Sequence, residues 1–196
     1  FTSRAEYRTL LRQDNADLRL TERSYRLGLA GEERMRRVER KQSQYRDLVG
    51  FFKRTSFTPK EINPILTALE SKEVSQGDKL VKIFSRPRVR MEHMLMLNTV
   101  SSYIEEHNMG SEVLEQAEIQ VKYAGYIEKE RANADKLQRL DHIKIPKDFD
   151  YSSLASLSME ARQKLAQIQP STLSQASRIS GVSPSDISVL MVFLNK

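Results

Sequence analysis

At 196 residues the chain has room for one domain or two small ones, and 39% apolar with 30% charged residues is compatible with a packed core. It has no cysteine, so disulfides and thiolate chemistry are excluded, and no apolar run approaches the roughly 20 residues that a membrane-spanning helix needs. The net charge of +6 is unevenly placed: residues 1–60 hold 15 Lys and Arg against 8 Asp and Glu, residues 61–196 hold 17 against 18, and the surplus in the first third is mostly Arg.

Beginning at Phe1 rather than Met, the sequence reads as a piece of a longer chain, and nothing at its start resembles a signal peptide. Arg4, Arg8 and Arg12 are four apart, which on a helix makes one Arg stripe. Asp14, Asn15 and Asp17 then break it. Residues 32–52 are the clearest helix, with Met35, Val38, Gln42, Tyr45, Val49 and Phe52 on one seam and Arg37, Arg40, Lys41 and Gln44 opposite. Thr58-Pro59-Lys60-Glu61 predicts a capped helix start, because Thr58 can cap, Pro59 suits the first helical position and Glu61 completes a capping box.

Residues 71–90 read as polar and broken, and two or three short helices fill 91–107. After Gly110 the recurrence of Val113, Ala117, Val121, Ala124 and Ile127 predicts one long helix to about Leu140. Gly125 lies inside it, where close packing by a crossing helix, or a ligand backbone, would account for a glycine. Ile145 to Tyr151 is an ordered loop, interrupted by Pro146 and anchored by Phe149 and Tyr151. Three short helices follow, over 158–167, from 171 or 172 to 179 with Gly181 as C-cap, and over 183–194. The last is apolar almost all round, so it is either a core helix or one completed by a partner. No strand pattern stands out.

No self-sufficient catalytic centre is legible. His93, His107 and His142 are isolated, so a His-rich metal site is not expected, and Walker, Gly-x-Gly-x-x-Gly and Gly-x-Ser-x-Gly motifs are absent. Two binding constellations remain. The Arg-rich opening (Arg4, Arg8, Arg12, Arg19) can contact phosphates or a cofactor, or it can be knitted by Arg–Glu and Arg–Asp pairs to a neighbouring domain. Residues 175–184 form a helix–Gly turn–helix that reads either as a helix-hairpin-helix phosphate site or as part of a compact three-helix terminal bundle.

These residues also carry a resemblance. Phe1-Thr2-Ser3-Arg4-Ala5-Glu6-Tyr7-Arg8, continuing Leu11-Arg12-Gln13-Asp14-Asn15-Ala16-Asp17-Leu18-Arg19-Leu20-Thr21, resembles the GidA/MnmG family of tRNA uridine 5-carboxymethylaminomethyl modification enzymes. Tyr123, Gly125-Tyr126-Ile127-Glu128, Ile145-Pro146, Phe149-Asp150-Tyr151, Leu157-Ser158 with Glu160, and Thr172 through Val182 with Pro184 fit the same pattern. One position departs from it, Ser174, where the family usually has Gly.

The resemblance implies a full-length cytoplasmic, homodimeric flavoenzyme. Its FAD-binding domain and NADH-binding insertion lie outside this chain, and it works with the GTPase MnmE on the tRNA wobble uridine. It further implies that this chain is an all-α, multi-helix array ending in a small C-terminal helical bundle. Residues 1–30 would be the junction to the flavin domain, 31–110 a helical linker domain and 111–196 the docking domain. Arg4, Arg8, Arg12, Arg19, Arg37, Arg40 and Lys41 would then serve tRNA or the junction, and Gln175, Arg178, Gly181, Pro184, Leu190 and Phe193 the GTPase, with no catalytic, cofactor or metal-binding residue in the chain. A freestanding basic helical RNA-binding protein is the alternative.

Overall fold

A computed structural model describes residues 7–194 as an all-α array, with eleven α-helices and one two-stranded ladder among the described residues. The chain divides after Glu128 into two compact units.

In the first unit, α1 (Ala16–Arg26) and α2 (Glu32–Arg54) pack together. Glu32 and Glu33 in the first turn of α2 and Lys53 and Arg54 in its last turn complement the helix dipole. Its buried seam is Val38, Leu48 and Phe52, with Tyr45, Val49 and Phe51 packed beside it. Helix α3 (Pro59–Ala68) starts with the expected capping box: Glu61 accepts from the Thr58 amide at 2.7 Å. Two features were not legible as elements. Strands β1 (Ser56–Phe57) and β2 (Asp78–Lys79) pair antiparallel, too short for alternation to register. A Cβ at Gly77 would lie 2.6 Å from the Phe57 carbonyl oxygen, so glycine permits the close approach. Within the stretch that reads as broken, Leu80, Ile83 and Phe84 of α4 (Leu80–Phe84) are buried. The short α5 (Met91–Met94) and α6 (Asn98–Glu106) follow as expected.

The predicted long helix is two helices, α7 (Ser111–Lys122) and α8 (Ala124–His142). Tyr123, at φ −101° and ψ 8°, leaves helical geometry, while 2.9 Å backbone bonds from Tyr123 to Ile119 and from Ile127 to Tyr123 carry the chain across the bend. The expected boundary at 110/111 is likewise displaced. Val113, Ala117 and Val121 of α7 share one core with Leu48 and Phe52 of α2, which keeps α7 in the first unit.

The second unit packs the rest of α8 with α9 (Met159–Ile168), α10 (Leu173–Ser177) and α11 (Pro184–Leu194) around Leu140, Tyr151, Leu165, Leu173 and Leu190. Phe149 and Tyr151 anchor the loop as expected, their rings edge-to-face at 5.0 Å. Helix α10 ends at Ser177, short of the expected 179. Gly181 does not cap it but sits in the following turn at φ +93°.

Candidate docking surfaces

In the Arg-rich opening, Arg4 lies outside the described residues. Tyr7 takes the left-handed conformation at φ 58° and residues 7–10 form a turn, so Arg8 and Arg12 do not share a helical stripe. Arg12 is turned inward, bonded to Asp14 at 3.0 Å and to the Thr9 carbonyl. Arg19 donates to Asn15 at 2.8 Å. Lys41 on α2 pairs with Asp17 on α1 at 2.9 Å, and Arg37 with Glu112 on α7 at 2.6 Å. The Arg12 and Arg19 contacts are local, whereas the Lys41 and Arg37 pairs join neighbouring helices of the first unit. Arg8 and Arg40 are exposed and make no ion pair among the described residues.

Between α1, α2 and α7 lies a cleft of about 630 Å³. It is lined by Arg34, Arg37 and Lys41 but also by Asp14, Asp17, Glu33 and Glu112. Four carboxylates against three cations, with no glycine to admit a phosphate, do not fit a dinucleotide or a polyanion. Arg34 was not singled out in sequence, because only the packing of α1 on α2 turns it to this cleft.

In the second unit the turn after α10 is built around Asp186. Its buried carboxylate accepts from the Ser158 amide at 2.8 Å, the Ser183 amide at 2.9 Å and the Ser183 hydroxyl at 2.6 Å. Burial pushes this carboxyl up, but the Ser183 and Ser158 donors outweigh burial and hold it below the ordinary range. The carboxylate thus occupies the place a phosphate would take at the start of α11, which favours the compact bundle over a helix-hairpin-helix phosphate site. A Cβ at Gly181 would stand 2.4 Å from Glu160 Oε1.

Of the residues expected to dock a GTPase, Gln175 lies in the first turn of α10, which Thr172 caps, and its side chain reaches back to accept from the Ser171 amide at 2.9 Å. Leu190 is 0% exposed and belongs to the core, so it cannot also present a contact. Arg178 and Pro184 are exposed, as is Phe193 at 47% beside Val192 at 63%. Helix α11 is therefore a core helix along Ile187 and Leu190 and an open one along Val192 and Phe193. The close packing expected at Gly125 is also not met: a Cβ there meets nothing within 4 Å. Among the described residues no cluster of His, Asp or Glu could hold a metal ion, and no helix is long and apolar enough to cross a membrane.

Two family models cover these units. The tRNA modifying enzyme MnmG/GidA C-terminal helical domain matches residues 32–131, and the MnmG/GidA C-terminal helical bundle matches residues 133–196. The chain belongs to the MnmG/GidA family. The boundary between the two MnmG/GidA models falls close to the division after Glu128, as the packing of α7 requires.

Among relatives, the tRNA uridine 5-carboxymethylaminomethyl modification enzymes MnmG of Flavobacterium psychrophilum and Flavobacterium johnsoniae are 59% and 61% identical over all of this chain. That of Bacteroides thetaiotaomicron is 48% identical over 98% of it. The chain spans 32% of the length of each. The structure of Aquifex aeolicus GidA in its form I crystal is similar at a TM-score of 0.56 and 33% identity, covering 99% of this chain and 28% of that one.

Proposed function

We propose that this chain is the docking portion of a tRNA uridine 5-carboxymethylaminomethyl modification enzyme, holding tRNA through its first unit and a GTPase partner, MnmE, through its second. The observation that carries this reading is 59% identity, over the whole chain, to a protein named for that modification. In the full-length protein FAD and NADH supply the redox chemistry. No step of it is assigned to these residues, and the cleft between α1, α2 and α7 has no glycine to admit a cofactor's pyrophosphate.

For tRNA, the support is the surplus of cations in residues 1–60, with Arg8 and Arg40 left exposed. For the GTPase it is the exposed edge of Arg178, Pro184 and Phe193 around a well-packed bundle. Footprinting of tRNA on the chain, with and without residues 1–30, tests the first part. Protection is expected to weaken with added salt, as counterion release requires, and to fall on truncation. Protection that is absent, or indifferent to both changes, removes the tRNA assignment. Capture of MnmE tests the second part. Arg178→Glu with Phe193→Asp is expected to lose capture while keeping the wild-type circular dichroism spectrum, and full capture by that folded variant removes the GTPase assignment.

A further inference from the structure

The C-terminal end of α7 carries a feature that the docking assignments above do not use. Lys122 Nζ donates to the carbonyls of Arg86 at 2.8 Å and Val89 at 2.6 Å, and Glu118 accepts from the Met91 amide at 2.8 Å. The helix is thereby fastened to the loop Arg86-Pro87-Arg88-Val89-Arg90, which holds three arginines in five positions. Arg86 is consumed within the fold by Ser71 and the Lys72 carbonyl. Arg88 is exposed and bonds the Leu69 carbonyl at 3.1 Å and the exposed Glu70 carboxylate at 3.3 Å. Arg90 is exposed, makes no ion pair among the described residues and follows Val89, whose carbonyl Lys122 holds.

The bend then begins at Tyr123, the residue after Lys122. Tyr123 and Tyr126 are 48% and 68% exposed, with ring centroids 6.4 Å apart at 52°. Gly125 stands between them with open space at its Cβ position. Large aromatic rings left in water, on the turn that follows the lysine holding an arginine-rich loop, are poor packing and good material for binding unpaired bases, since every base has a π face and every linkage a phosphate.

We infer that this corner is a single-stranded RNA platform, on which Tyr123 and Tyr126 stack unpaired bases while Arg88 and Arg90 hold the adjoining phosphates. The inference rests on the tRNA reading above and adds which residues of this chain hold unpaired nucleotides. An acidic protein surface would use the arginines but has no need of two exposed aromatic rings.

Fluorescence anisotropy of labelled tRNA and of a short single-stranded oligoribonucleotide, titrated with the full chain, tests it. Tyr123→Ala with Tyr126→Ala is expected to weaken both by about thirtyfold or more, whereas the double Phe variant binds as wild type. Arg88→Ala with Arg90→Ala should weaken binding and lower the salt slope by about two. Wild-type binding that survives the double Ala variant unchanged overturns the platform and leaves the tRNA reading standing. A wild type that binds neither RNA overturns both. Loss of MnmE capture with RNA affinity intact makes the corner a protein surface and overturns the platform. All four side chains are exposed, and circular dichroism establishes that each variant is folded.

Discussion

Asp186 is where one side chain does most to fix local structure. A buried carboxylate is tolerated only when its lone pairs are satisfied, and this one is met by donors from Ser158, which caps α9, and Ser183, which caps α11. Asp186→Ala leaves two backbone amides without a partner and is expected to cost about 2–4 kcal/mol, read as a lower melting midpoint for the second unit. The pH dependence follows from the lowered pKa. Above the unfolded value of about 4 the stabilisation is fully present, and it is lost as pH falls through the folded value. Asp186→Asn should therefore cost stability at neutral pH and much less in acid; an equal loss at both would refute the linkage. The helix start at Ser183 was legible in sequence, but the tie to Ser158 was not, because a contact between residues far apart in the chain leaves no local pattern. Arg12 shows the same limit: its spacing is that of a stripe, and only the turn at Tyr7 sends it to Asp14.

Elements differ in how far their own sequence decides them. Helices α2 and α3 were legible from periodicity and caps, whereas α4 has only five residues and is held by burying Leu80, Ile83 and Phe84, so no propensity signal marks it. The split between α7 and α8 lies between these cases, since Gly125 weakens the helix and Tyr123 bends it. Two glycines then make opposite predictions. Gly125→Ala meets no neighbour and is expected to stabilise the first turn of α8 by about 0.5–1 kcal/mol. Gly181→Ala faces both φ +93° and the Glu160 side chain, and is expected to destabilise the turn into α11 by at least about 1 kcal/mol. Thermal melts of the two variants should move in opposite directions; a shift downward in both would mean that Gly125 packs closely after all.

On the scale of the whole molecule, each hydrophobic core lies within one unit, one centred on Leu48, Phe52 and Met94, the other on Leu165, Leu173 and Leu190. Cavity-forming substitutions in separate cores have no shared partner through which to couple, so their effects should stay local and add. Leu190→Ala removes a fully buried side chain and should cost about 2–5 kcal/mol, exposing the amides of α9, α10 and α11 to hydrogen exchange. Phe52→Ala should cost about 3–5 kcal/mol and act on α2, α4 and α7 in the same way. Exchange measured by mass spectrometry on both variants separates the possibilities. If either substitution accelerates exchange equally in both sets of helices, the chain unfolds as one cooperative body and the division after Glu128 is only geometric. Protection lost in one set alone makes the units separate folding bodies. Arg178 and Phe193 could then be altered in the second unit without disturbing the arginines and tyrosines of the first, a separation that the RNA and GTPase tests above rely on.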